Sequence, residues 1–378
     1  MIYFDNAATT KVNESVLSSY IEVSQKLFGN PSSLHELGEM TTGLLNQSRK
    51  QIASLLNVEP AEVFFTSGGT EGDNWAIKGT AFEKRAFGKH IITSSIEHPA
   101  VLKTMEQLEL LGWEVTYLPI NEEGKVNPAE LKDALREDTV LVSIMAINNE
   151  TGSIQPLKEI GKILEDYPAI HFHVDAVQSV GLLDLELGQS RIDLAVFSGH
   201  KFNAPKGTGF IYIKKGRQLM PLINGGGQES GRRSGTENVP GVAAMAKAFR
   251  LATENSQDKQ VKLTQLKEAL TCYLEEKEKV TLFSPESASP HVLCFGIQNI
   301  RGEIVVHALE KEGIYVSTTS ACSSKRKDKG QSITGMGYTK KEAETAVRIS
   351  LSMQNTREEI EQFKTVFDKI YEQLKEIN

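Results

Sequence analysis

The sequence predicts an α/β protein with a mostly parallel sheet in a large domain and a second, smaller α/β domain. Short apolar segments recur along the chain, and stretches with helical periodicity lie between them, which is the pattern of a parallel sheet. Length supplies the second domain, because 378 residues exceed what one apolar core usually spans. The composition agrees: 39% apolar and 24% charged residues describe a chain able to bury a sizeable core.

Taken in order, Asp5-Asn6-Ala7-Ala8-Thr9-Thr10 follows a short strand-like start and reads as a loop leading into a helix. Gly29-Asn30-Pro31-Ser32-Ser33 is a turn cluster, and a helical pattern then runs through Leu44, Leu45, Ile52, Leu55 and Leu56. Val63-Phe64-Phe65-Thr66 reads as a buried strand, broken by Ser67-Gly68-Gly69-Thr70-Glu71 before a helix from Glu71 towards Phe82. Strand, glycine turn and helix N-terminus together offer backbone N–H groups and a positive dipole end to a phosphate. A plain strand-to-helix turn also favours glycine.

Further strands are expected at 91–93, 115–118, 140–145, 170–175, 192–197 and 210–213, with helices around 100–111, 128–136 and 157–165. A long helical run is expected from about 241 to Lys279, and a lobe boundary falls near its middle. This sets a large domain at 14–256 and a small domain of 1–13 with 257–378. Short strands and helices fill 280–355. The final helix opens on a Thr356–Glu359 capping box and buries Ile360, Phe363, Phe367, Ile370, Leu374 and Ile377.

Several function classes are excluded early. A net charge of −7 lacks the broad basic footprint of a nucleic-acid binder. No run is long and apolar enough for a bilayer, and the start of the chain lacks a charged leader, so a cytoplasmic protein is expected. Three widely spaced cysteines suit a reducing compartment and give no zinc spacing.

In a parallel sheet, ligands sit beyond the carboxyl ends of the strands. There the sequence gathers Thr70, Glu97-His98, Asn148-Asn149-Glu150, Asp175 with Gln178, and Ser198-Gly199-His200-Lys201. A lysine between two buried strands loses solvation, which lowers its pKa and frees the amine to attack carbonyls. Its bland rival is a turn lysine whose head reaches water. His171, His173 and Asp175 share one strand face, which suits either a metal-binding hydrolase or an aspartate paired with a pyridinium nitrogen. His98 is either a packed histidine or a ring that stacks on a planar cofactor and moves protons.

Cys272, in a stripe with Leu266, Leu270 and Leu274, and Cys294, in an apolar strand, read as core residues. Cys322 lies in a polar loop just before Lys325-Arg326, where nearby cations favour the thiolate, and it is the candidate nucleophile. Arg348 sits in an apolar strand, so it either faces water from an edge or clamps a carboxylate.

These motifs match one family in order. Asp5 to Thr10, Thr66 to Glu71, Glu97-His98, Asn149 to Gly152 and His173 to Ala176 belong to the set. So do Ser198 to Phe202, Arg233 to Asn238, Ser320-Ala321-Cys322 and Arg348. Together they resemble the pyridoxal-phosphate-dependent cysteine desulfurases of the class-V aminotransferase type, in the subgroup with a Ser-Ala-Cys loop.

The resemblance implies the type I fold of pyridoxal-phosphate enzymes, a homodimer, and conversion of L-cysteine to L-alanine with sulfur left on Cys322 as a persulfide. Onward delivery to a sulfur-acceptor protein would serve iron–sulfur cluster assembly, tRNA thiolation or thio-cofactor synthesis. Lys201 would hold pyridoxal 5'-phosphate as a Schiff base and move protons. Asp175 would pair the pyridine nitrogen, Gln178 the ring oxygen, and His98 would stack on the ring. Thr70, Ser198 and His200 would hold the phosphate beside Gly69, joined by Thr236 of the partner subunit. Asn149 and Arg348 would take the substrate carboxylate. A lyase for selenocysteine or cysteine sulfinate is the alternative within the same class. Departures from the usual pattern are Gly72-Asp73, Ser230, the residues after Ser350-Leu351, and the basic run 325–329; they bear on the sulfur acceptor.

Overall fold

The computed structural model describes residues 1–254, 256–319 and 331–376. Seven strands form the main sheet. In spatial order they are Val63–Thr66, Gly209–Ile213, Leu194–Ser198, His171–Asp175, Thr139–Ser143, His90–Ser94 and Glu114–Leu118. Gly209–Ile213 runs antiparallel to both neighbours, and the other six point one way. The expected mostly parallel sheet is present.

Both faces of this sheet are covered, as a parallel sheet requires. Successive residues alternate between two apolar layers. Ile92, Val142, Phe172 and Phe197 join Leu45, Ile52, Ile160 and Phe249 on one side. On the other side Ile91 and Leu141 meet Ile77 and Met105, while Val196 and Ile211 meet Trp75. Gly69–Lys84 supplies Trp75 and Ile77 to that second layer.

A separate core forms around Ile2, Phe4, Leu263, Leu270, Phe295, Val347, Phe363 and Phe367. Its antiparallel sheet has the order Ser317–Thr318, Ala346–Ser350, Val292–Ile297, Val280–Leu282. The closing helix, Arg357–Glu376, begins with the expected capping box: Glu359 N–H reaches Thr356 Oγ1 at 3.3 Å and Thr356 N–H reaches Glu359 Oε2 at 3.1 Å. Ile377 lies outside the described residues.

Two expectations are corrected. The single long helix is two, Val239–Thr253 and Ser256–Glu275, because Glu254 adopts an extended ψ of 135°. The first buries Met245 and Phe249 in the main core and the second buries Leu263 to Leu274 in the other, so each serves its own core. Cys272 is exposed and not part of a core. It sits two residues beyond Leu270, which turns it about 200° from the buried stripe.

Gly69–Lys84 approaches the sheet closely at one point. A Cβ on Gly72 would stand 2.5 Å from Val196 Cγ1. Gly72→Ala is therefore expected to destabilise the protein by about 1–3 kcal/mol through overpacking. Urea unfolding measures this, and in a Val196→Ala background the same change should cost less than about 0.5 kcal/mol.

Candidate active site

The polar residues of the sequence converge at the carboxyl ends of the parallel strands. Leu194–Ser198 runs into a single turn, Gly199–Lys201, which ends on the lysine. Lys201 Nζ donates to the carbonyls of Ala7 at 2.5 Å and Ala8 at 2.8 Å. The loop Asp5–Thr10 is held over this turn by Thr10 N–H and Thr10 Oγ1, each 2.9 Å from the His200 carbonyl.

The neighbouring strand ends on Asp175, which is buried and accepts Val177 N–H at 3.0 Å. Burial raises its pKa to about 6, against the lowering effects of that N–H and of the Lys201 charge. His98 caps the helix Pro99–Leu110, its Nδ1 accepting Ala100 N–H at 3.1 Å. Burial first, then the Lys201 charge, lowers its pKa to about 4. The ring is therefore neutral, with its proton on Nε2.

Asp73 joins this pair, and the ligand atoms of Asp73, His98 and Asp175 all lie within 4.8 Å of one another. In the sequence Asp73 stands out only as part of the Gly72-Asp73 departure from the family pattern. Its carboxyl is 1% exposed, lies 3.4 Å from His173 Nε2, and its Oδ1 has no hydrogen bond among the described residues. Burial, then the Asp175 and Glu97 charges, raise its pKa well above the usual range. Glu97 accepts Ser94 Oγ–H at 2.6 Å and Met145 N–H at 2.9 Å, yet burial still raises it to about 8.

The metal reading of His171, His173 and Asp175 is not supported by the geometry. His171 turns to Thr80 Oγ1 at 3.1 Å and His173 to Ser143 Oγ at 2.9 Å, so the three do not form one cluster. Both rings are held neutral by burial, at about 2 and about 3.

The glycine turn builds a cradle at the start of Gly69–Lys84. Gly68 has φ +152°, and a Cβ on Gly69 would stand 2.9 Å from Val177 Cγ2 and 3.4 Å from Ser198 Cβ. Thr70 is exposed at the helix start, Ser198 forms the wall, and His200 contacts Thr9 Oγ1 at 3.3 Å. Thr236 is exposed on the loop that Arg233 ties to Glu71, at 2.8 and 3.1 Å.

Arg348 does not face water. It is 5% exposed, donates to Asp5 Oδ1 at 2.9 Å and to the Asn149 carbonyl at 2.8 Å, and its Nε has no hydrogen-bond partner among the described residues. Gln178 is buried between His291 and the Ala7 carbonyl. Cys294 is buried and its thiol pKa is pushed up, first by burial and then by the Glu150 charge, so it is inert. Cys322 lies outside the described residues.

The class-V aminotransferase family model matches residues 2–363. The chain is 53% identical over 382 aligned residues to a "NifS/IcsS protein homolog" of Lactobacillus delbrueckii subsp. bulgaricus, covering 100% of this chain and 99% of that protein. It is 43% identical to the "Cysteine desulfurase IscS" of Methanosarcina thermophila, covering 100% and 93%. This chain is a member of the cysteine desulfurases within the class-V aminotransferases. Solved structures of the family superpose closely. A "NIFS-LIKE PROTEIN" aligns with TM-score 0.93 at 39% identity, over 98% of this chain and 99% of that one. "SspA in complex with cysteine" aligns with TM-score 0.84 at 33% identity, over 94% and 100%. Cysteine desulfurases of this class depend on pyridoxal phosphate.

The raised carboxyl pKa values give a test in the cofactor-free protein. Glu97 keeps its proton to about pH 8 when folded but releases it near 4.5 when unfolded. The associated stability is fully present below about pH 4.5 and is lost as pH rises through 8. Urea unfolding across pH 5–8 should show stability falling with pH, and Glu97→Gln should flatten that slope. An unchanged slope would place the proton elsewhere.

Proposed function

We propose that this cysteine desulfurase binds pyridoxal 5'-phosphate at the carboxyl ends of the parallel strands and works through Lys201, His98 and Cys322. The observation that carries the reading is Lys201 at a strand end between a glycine cradle and a buried aspartate. The pocket fits the cofactor on its own terms. Gly69 leaves room where any Cβ would clash, beside Ser198 and a helix N-terminus suited to phosphate. Asp175 is a buried carboxylate that a protonated ring nitrogen would neutralise.

Thr70, Ser198 and His200 hold the phosphate in this reading, with Gly69 lining it and Thr236 of the partner subunit completing it in a homodimer. Asp175 would take the ring nitrogen, Gln178 the ring oxygen, and His98 would stack on the ring. The cofactor, when bound, supplies an electron sink for the carbon that carries the substrate amine.

The protein supplies the rest. Arg348 and Asn149 hold the carboxylate of L-cysteine, with the planar guanidinium fixing its direction. Lys201 Nζ moves the proton at Cα, and neutral His98 offers a proton at Nε2. The Cys322 thiolate attacks the substrate sulfur. An S–S bond forms, the C–S bond breaks, its electron pair stays on carbon, and a proton completes the methyl group of alanine. Cys322 is left as a persulfide, which a sulfur-acceptor protein then takes. The separate apolar cores support a division into 14–256 and 1–13 with 257–378.

Cys322→Ser tests the assignment of the nucleophile. A serine hydroxyl is almost fully protonated at neutral pH, so alanine formation and protein-bound persulfide should fall to background. Cofactor binding should persist. Lys201→Ala should instead abolish fixation of the cofactor to the protein by borohydride. Normal turnover in either variant would remove that residue from the mechanism.

Arg348→Lys keeps the charge but loses the fork. It should lower kcat/KM for cysteine about 30-fold, the equivalent of roughly 2 kcal/mol. Steady-state assay of alanine release checks it, and an unchanged kcat/KM would put Arg348 outside the site.

A further inference from the structure

His291 and Gln178 form a buried bond between the two apolar units. Gln178 stands in the loop after His171–Asp175, and His291 just before Val292–Ile297. His291 Nε2 and Gln178 Oε1 are 3.1 Å apart. An amide oxygen only accepts, so Nε2 carries the ring proton. Nδ1 is then the acceptor, and Ser289 Oγ–H donates to it at 2.7 Å. The histidine is held from its backbone as well, since Leu351 N–H reaches its carbonyl at 2.8 Å.

With Oε1 committed to His291, the amide NH2 of Gln178 is turned to the other side. One of its N–H groups meets the Ala7 carbonyl at 3.1 Å, the same oxygen that receives Lys201 Nζ at 2.5 Å. The Gln178 amide is therefore presented beside the lysine as a donor. A cavity of about 260 Å³ adjoins it, lined by Lys201, Gln178, His291 and Lys259 among others, so the amide has space to turn once its partner is lost.

We propose that His291 is a positioning residue: it fixes the donor face of Gln178 towards Lys201 and so sets the hydrogen bond that the cofactor's ring oxygen receives. The inference rests on the reading of Gln178 as the ring-oxygen contact. Burial, and then the positive charges of Lys259, Lys267, Arg348 and Lys201, hold the His291 pKa down at about 3. The ring is thus neutral, with one donor and one acceptor, throughout the neutral range.

The test is the visible absorbance band of the bound cofactor in the holoenzyme at one fixed pH. Gln178→Leu should move the band by several nanometres, and His291→Leu should move it in the same direction. The double variant should move it no further than Gln178→Leu, because both changes remove one interaction. His291→Gln, which places an amide donor near the former Nε2, should restore most of the original position. Ser289→Ala, which removes the group fixing the tautomer, should give a smaller shift of the same sign. This variant also keeps the test alive if His291→Leu fails to fold.

A band moved by Gln178→Leu but untouched by His291→Leu and Ser289→Ala overturns this inference alone. So does a double variant whose shift is the sum of the two single shifts. A band unmoved in Gln178→Leu overturns the ring-oxygen reading, and the role of His291 falls with it.

Discussion

Lys201 Nζ lies against the carbonyls of Ala7 and Ala8, and that contact depends on how the first ten residues are held. Ile2–Tyr3 pairs in parallel with Ile314–Tyr315, and Ile2 and Phe4 are buried in the smaller core. Ser350 N–H reaches the Phe4 carbonyl at 2.7 Å, and Asn6 Nδ2 reaches the Ser350 carbonyl at 2.9 Å. Asp5 pairs with Arg348, and Thr10 reaches the His200 carbonyl. One short segment thus starts in one core and ends on the turn that carries the lysine of the other. The positions of Lys201 and Arg348 are set by the same stretch of chain.

Buried charge is the second organising constraint. Asp73, Glu97 and Asp175 are all buried; the Asp175 charge raises both of the others, and Glu97 also raises Asp73. The Lys201 charge favours ionised Asp175, but burying three carboxyl groups together is costly, so protons remain on part of the group. His173, beside Asp73, is itself kept neutral by burial and does not repay that cost. What would relieve the group is a cation arriving at Asp175, which is the place a protonated pyridine nitrogen takes in the proposed function. Elsewhere the chain compensates its buried acid internally. Asp193 is gripped by Arg191 and, at 2.8 Å, by Arg217, so its charge is met by two guanidinium groups.

Much of this was legible from sequence, for physical reasons. Strands buried on both faces are short apolar runs, and a lysine or aspartate directly after such a run must lie at a strand end. Lys201 and Asp175 are therefore placed by local sequence alone, and His98 follows four residues past a strand end as a helix cap. Contacts across large separations were not legible. Arg348 and Asp5 are 343 residues apart, and Gln178 and His291 are 113 apart, with no periodicity to join them. Asp73 was hidden differently: it sits inside a helix, beside Gly72, which packs closely on Val196, and its carboxyl lies within 4.8 Å of ligand atoms of His98 and Asp175. Cys272 shows the limit of a stripe, since a residue amid buried leucines can still face solvent. The helix expected through residue 254 failed because two cores, not one, claimed its apolar positions.

The junction between those cores has a character of its own. Within each, contacts are apolar and close-packed, as in the stacked rings of Phe363 and Phe367 at 5.3 Å. Across the junction Leu182 packs against both cores, but directional polar bonds also cross it: Arg348 to the Asn149 carbonyl, His291 to Gln178, and the Asp5–Thr10 loop to the lysine turn. Directional bonds of this kind are lost over small displacements, whereas apolar packing inside each core resists deformation. A change in how the two units sit is therefore felt first at Arg348 and Gln178, the groups assigned to the substrate carboxylate and the ring oxygen. The junction that holds the units together is thus built from the same side chains that would sense what is bound between them.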